Sequence, residues 1–277
     1  MQLHTIDAGF FKLDGGAMFG VVPKMMWEKM NPPDEKNLCT WAMRCLLIED
    51  GNRLILIDCG LGNKQEAKFF GHYEPNGATL TQSLQAKGFS MDDITDVLLT
   101  HLHFDHCGGA IKIENEKLVP AFKNANYWSH SAHWDWAINP NPREKASFLK
   151  ENILPIEASG QLKFVDKYEG IFHEKIQIKT VSGHTESMIT PLIDYKGKKI
   201  LYCADLFAAK WHIPVPYVMA YDTRPLLTLT EKQQTLQDAI AEDWLLYYEH
   251  DPNTELTSLI NTEKGVRVGS ELKITDL

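Results

Sequence analysis

The chain has 277 residues, 44% of them hydrophobic and 23% charged, and a formal net charge of -9. This is an ordinary globular composition, and the negative balance excludes a general surface for nucleic acid phosphates. No apolar stretch approaches a membrane span, the first residues do not read as a secretory signal, and five cysteines without paired spacings favour reduced thiols, so a cytoplasmic protein is expected.

In chain order, "LDGGAMFGVVPKMMWEKM" is glycine-rich, then rich in methionine and aromatics. "MRCLLIED" and "NRLILID" are branched apolar runs around Asp50-Gly51, which predicts a hairpin. The second run ends at Asp58, and "CGLG" marks a turn. "ATLTQSLQAKGF" predicts a helix, capped by Thr79 with Gln82 and stopped at Gly88. "TDVLLT" is a short buried strand, and "HLHFDHCGG" follows it, with Gly108-Gly109 marking a loop. "ANYWS" is another strand, and helices are expected over 131–138 and 143–152. "QLKFVD", "KIQIKTV", "MITPLIDY" and "KKILYCA" are strands, the last two joined by a turn at Lys196-Gly197. "TEKQQTLQDAIAEDW" predicts a helix over 230–244, capped by Thr230 with Gln233, and "WLLYYEH" and the tail read as strand. No repeat or linker interrupts the pattern. One domain over 1–277 is expected, of α+β class, with two sheets covered by helices.

The chemistry gathers in "HLHFDH". Alternate residues on an extended segment share a side, so His101 and His103 can aim at one point. After the turn, Asp105 and His106 can face a second point. Imidazole nitrogens and carboxylate oxygens are the donors a zinc-like ion takes when a water must stay bound. Further candidates stand at or near strand ends: His184 in "VSGHTES", Asp205 in "LYCAD" and His250 in "EHDP". Cys107 reads as a small buried residue; His4, His72, His130, His133 and His173 read as structural, and Trp134 and Trp136 as helix packing.

Asp58 in "LIDCG" and the motifs "HLHFDH", "SGHTES", "YCAD" and "EHDP", in that order, resemble the metallo-β-lactamase superfamily. Within it the chain looks most like the lactonase-type hydrolases, N-acyl homoserine lactonases included. The resemblance implies a four-layer αββα sandwich with the metal site at one edge between the sheets. It implies two divalent ions, expected to be Zn2+: His101, His103 and His184 on the first, Asp105, His106 and His250 on the second, and Asp205 bridging. Asp58 would support the metal-binding loop without being a ligand. Asp205, where β-lactam-hydrolysing members carry other residues, argues against β-lactamase activity, and His103, where flavodiiron members carry Glu, argues against iron redox chemistry.

The implied reaction is hydrolysis of a lactone or ester by a metal-bridging hydroxide, with Asp105 orienting the nucleophile. A phosphodiester or phosphotriester hydrolase on the same ions is the alternative. Lactonases of this type carry a tyrosine three residues after the bridging aspartate; here that position is Ala208. Tyr217, Tyr221 and His212 are the candidates to replace it. Met18 and Phe19 are expected to form an apolar lip, implying a small-molecule substrate with an apolar portion. Neither nucleic acid nor membrane is expected as a partner, and the oligomeric state stays open, a homodimer included.

Overall fold

The structure, a computed structural model, describes residues 1–167 and 172–277. The chain divides into two compact units, Met1–Phe10 with Met43–Gly170, and Phe11–Ala42 with Ile171–Leu277. Mixed α/β structure, with two six-stranded sheets and helices, matches the expected class.

The first sheet has the order Gln2–Asp14, Leu38–Asp50, Arg53–Ile57, Asp96–Leu98, Asn126–Ser129, Leu162–Phe164. The hairpin predicted at Asp50-Gly51 is present: Asp50 faces Arg53, and Gly51 takes φ 59° in the turn. The pairings from Arg53–Ile57 through Leu162–Phe164 are parallel. Parallel strands are covered on both faces, so they read as continuous apolar runs rather than alternating ones. In the first unit Leu56, Val97 and Tyr127 from the sheet pack with Leu84, Trp134, Ile153 and Ile156 from the helices Leu80–Ala86, Ser131–Ile138 and Lys150–Ala158. The Thr79–Gln82 capping box forms as predicted. The helix expected over 143–152 instead spans Lys150–Ala158. The Asn141 side chain accepts from the Arg143 and Glu144 backbone N–H groups, a local turn that competes with helix. Pattern reading also missed the strand Gln2–Asp14 and a ribbon of Ile111–Glu114 with Lys117–Pro120.

The second sheet has the order Gly265–Leu272, Leu256–Thr262, Leu245–Tyr247, Lys198–Tyr202, Met188–Tyr195, Ile176–Val181. Lys196 and Gly197 both take positive φ, 49° and 78°, in the predicted two-residue turn. The helix predicted over 230–244 is Pro225–Ala241. Proline at its first position lacks only an N–H that would be orphaned there. Thr230 is therefore inside the helix, with its hydroxyl on the Leu226 carbonyl at 3.4 Å rather than capping.

Lys232 of this helix is fully buried, and its Nζ donates to the carbonyls of Pro214, Val215 and Tyr217 at 3.1, 3.2 and 2.7 Å. Burial pushes its pKa down to about 7. Lys232→Met strands three carbonyls, and urea unfolding should show a loss of about 3 kcal/mol. A loss below about 0.5 kcal/mol would mean that the 214–217 loop is held by other contacts. Among the described residues, no helix is long and apolar enough to cross a membrane.

Candidate metal centre

In the first unit the strand Asp96–Leu98 delivers the chain to His101, and a one-turn helix, Phe104–Cys107, carries Asp105 and His106. The loop expected at Gly108-Gly109 is a short helical turn. The two glycines serve close approach: a Cβ on Gly108 would lie 2.1 Å from the Leu61 carbonyl oxygen, and one on Gly109 2.2 Å from that of Cys59.

Each histidine here has one ring nitrogen turned to a protein group. Thr100 Oγ1 donates to Asp58 Oδ2 at 2.6 Å, so it accepts from His101 Nδ1 at 3.1 Å. His106 Nδ1 faces Asp58 Oδ2 at 3.1 Å. His103 Nε2 lies 3.6 Å from Glu144 Oε1. The contacts of His101 and His106 place their protons on Nδ1 and turn each Nε2 into a lone-pair donor, whereas the 3.6 Å from His103 to Glu144 is longer than a hydrogen bond. His101 Nε2 and His103 Nδ1 then face each other at 3.1 Å, and His106 Nε2 lies 3.7 Å from Asp105 Oδ2. Where both facing atoms carry lone pairs, as His106 Nε2 and the Asp105 carboxylate do, they repel unless a cation lies between them. A zinc-sized ion bound at about 2.0–2.1 Å to each nitrogen suits that spacing.

Asp58 is fully buried and accepts from Thr100 N at 2.8 Å as well as from Thr100 Oγ1. Its φ of 58° is one that few residues other than glycine adopt at no cost, so local backbone strain accompanies its support of His106. His133, read as structural, accepts from Leu102 N at 2.8 Å and holds the backbone between His101 and His103.

The second unit repeats this logic. His184 Nδ1 lies 2.8 Å from Asp222 Oδ1, and His250 Nδ1 lies 2.8 Å from the Ala42 carbonyl. Their Nε2 atoms each face one oxygen of Asp205 at 3.1 Å: His184 faces Oδ2 and His250 faces Oδ1. A carboxylate with a separate imidazole lone pair on each oxygen is the donor arrangement for a bridging ligand. The residue before it, Ala204, has φ 43°. The His184 loop is braced by Glu231, which accepts from Ser182 N and Gly183 N at 2.6 and 2.9 Å. Gly183 has no room for a side chain there, since a Cβ would lie 2.3 Å from Thr228 Oγ1. Thr228 Oγ1 in turn donates to Asp222 Oδ2 at 2.7 Å.

Met18 and Phe19, expected at a lip, are buried in the short helix Gly15–Phe19. Phe19 stacks on Trp27 and on His212, with ring centroids 5.3 and 5.4 Å apart. His212 is buried with Nε2 2.9 Å from the Met18 carbonyl, Tyr217 is half-buried, and Tyr221 is exposed. Burial pushes the His212 pKa down to about 4, so it is neutral at pH 7. The folded state then resists a proton that the unfolded chain accepts near pH 6.5. The neutral residue's stabilisation is complete above that pH and is lost as pH falls through about 4, up to about 3 kcal/mol. Urea melts from pH 7 to 4 should therefore show a shallower loss in His212→Gln than in the wild type. Equal slopes would show that His212 does not titrate in this way.

Sequence reasoning missed Glu144, Asp222 and Glu231, which stand in no ligand motif. It also missed the aromatic group around Phe104, whose ring lies 5.3 Å from Phe69 and 4.7 Å from Tyr73.

The model of the metallo-beta-lactamase superfamily matches residues 44–259, and the chain belongs to that superfamily. An N-acyl homoserine lactonase of Bacillus cereus is 24% identical, with 98% of each chain covered. The structure of a "probable metal-dependent hydrolase" from Staphylococcus aureus superposes with a TM-score of 0.88 at 26% identity, covering 98% of this chain and 96% of that one. AidC, described as a dizinc quorum-quenching lactonase in complex with its product N-hexanoyl-L-homoserine, gives 0.80 at 22% identity over 98% and 94%. A transcription termination factor, FttA of Methanocaldococcus jannaschii, is 36% identical over 64 residues, which are 23% of this chain and only 8% of that protein. The chain thus has the metallo-β-lactamase fold and is a metal-dependent hydrolase whose His/Asp donors suit divalent metal.

Proposed function

We propose that the chain is a binuclear metallohydrolase that opens a lactone or ester, acting as one domain over 1–277. The observation that carries this is the Asp205 carboxylate, with a different histidine Nε2 on each oxygen at 3.1 Å. His101, His103 and His184 would hold one ion and Asp105, His106 and His250 the other, with Asp205 shared between them; two Zn2+ ions suit these donors. When bound, such ions lower the pKa of water and polarise a carbonyl oxygen.

The chain's own groups do the rest. Thr100, Asp58, Asp222 and the Ala42 carbonyl keep His101, His106, His184 and His250 in the ligating tautomer, and Glu144 lies 3.6 Å from His103 Nε2. Asp105 has an oxygen able to accept a proton-bearing contact from the attacking water. Phe104, Phe69 and Tyr73 form an aromatic wall next to Asp105 in sequence, which suits an apolar part of the substrate. For the leaving alkoxide, Tyr217 and Tyr221 are better proton donors than His212, whose N–H is committed to Met18. The lactonase relatives support a lactone over a phosphoester, and five buried thiols support a reducing, cytoplasmic setting.

Protein purified without added metal should carry close to two ions per chain. Chelation should abolish hydrolysis of aliphatic lactones, and Zn2+ should restore it. Fewer than one ion per chain, or phosphotriester turnover with none on lactones, would overturn the reading.

A further inference from the structure

The first unit contains a cavity of about 770 Å³, lined by none of the candidate metal ligands nor by Asp58. Its volume falls in the range of small-molecule sites. Its wall is mostly apolar, with Met43, Leu61, Phe70, Leu80, Met91 and Ile111. Lys64 projects from the turn that follows the strand Arg53–Ile57 and lines this wall. Its Nζ donates to the Gly108 carbonyl, the one hydrogen-bond acceptor recorded for it among the described residues. An ammonium has three N–H donors, so two remain for another acceptor. Burial pushes its pKa down to about 8, as expected for a charge that its surroundings under-compensate.

The other charged groups on the wall do not supply that compensation. Asp92 is paired with Lys123 at 2.5 Å and Lys112 with Glu114 at 3.0 Å. Glu151, which does not line the wall, offsets only part of the effect of burial on Lys64, since the net shift is still downward. One half-buried cation in an apolar cavity is a recognition pattern for a ligand with an anionic head and an apolar body.

We propose that this cavity is a second ligand site, separate from the metal residues, that takes an amphipathic monocarboxylate: the carboxylate on Lys64 and the alkyl body against Leu80, Met91 and Ile111. This site does not depend on which ester or lactone the enzyme hydrolyses.

The test is calorimetric titration of the metal-loaded enzyme with sodium decanoate and, separately, with n-decanol. Decanoate should bind the wild type, and decanol at least about tenfold more weakly, because a charge-assisted hydrogen bond is lost. Lys64→Gln should weaken decanoate at least about tenfold and leave decanol unchanged. Lys64 also ties down Gly108, so a second variant is needed: Thr81→Trp, at an exposed position of the helix Leu80–Ala86 lining the cavity, should block both ligands. Circular dichroism and thermal melts would confirm that both variants fold. No decanoate binding, equal affinity for decanoate and decanol, or decanoate binding unchanged in both folded variants (as for a carboxylate bound at the metals) would overturn the proposal.

Discussion

Asp205→Asn is expected to lower kcat/KM for lactones by at least about a hundredfold, beyond the 10–100-fold typical of losing a supporting residue, and to reduce bound metal to one ion per chain or fewer. Asparagine keeps the shape of the side chain but not its charge. It cannot present an anionic oxygen to both His184 Nε2 and His250 Nε2, which now lie 3.1 Å from Oδ2 and Oδ1. The fold should survive, because Asp205 is a short buried side chain and asparagine can still hydrogen-bond. The unfolding free energy of the metal-free variant should fall by less than about 1 kcal/mol. Elemental analysis, steady-state kinetics and urea melts on one preparation separate the two effects. A variant with two ions and near-normal turnover would remove Asp205 from the bridging position.

Asp58→Ala should act through both stability and metal. Alanine leaves Thr100 N, Thr100 Oγ1 and His106 Nδ1 without their buried acceptor, and it must adopt the same positive φ. The expected cost is about 3 kcal/mol of stability, with metal affinity lower by 10–100-fold. Asp58→Asn separates the causes. Asparagine tolerates the left-handed backbone and can still accept from Thr100 N, so much of the stability should return. It cannot restore a carboxylate for His106, so metal affinity should stay low. Recovery of both in Asp58→Asn would mean that Asp58 acts on the backbone alone.

Local chemistry was legible at two devices whose partners are close in sequence. The Thr79–Gln82 capping box and the Lys196-Gly197 turn each act across at most three residues, and both formed as predicted. Helix limits failed where a side chain competed with the pattern: Asn141 held the 141–144 turn, and Pro225 moved the start of the last long helix ahead of Thr230. The residues that brace the candidate metal centre were illegible for a related reason. Asp222 is 38 residues from His184, and Glu231 is 49 from Ser182, so no spacing rule connects them.

By itself the sequence determined the superfamily and the class of chemistry. Both are written in residue types that recur after apolar strands, and a strand end is a local property. Only the tertiary structure decided which nitrogen of His106, His184 and His250 is available, since that depends on what the other nitrogen meets: Asp58, Asp222 or the Ala42 carbonyl. It also decided that Lys64 faces an apolar cavity rather than solvent. Tautomer and burial are set by groups brought together across the fold, and a linear pattern of residue types does not carry them.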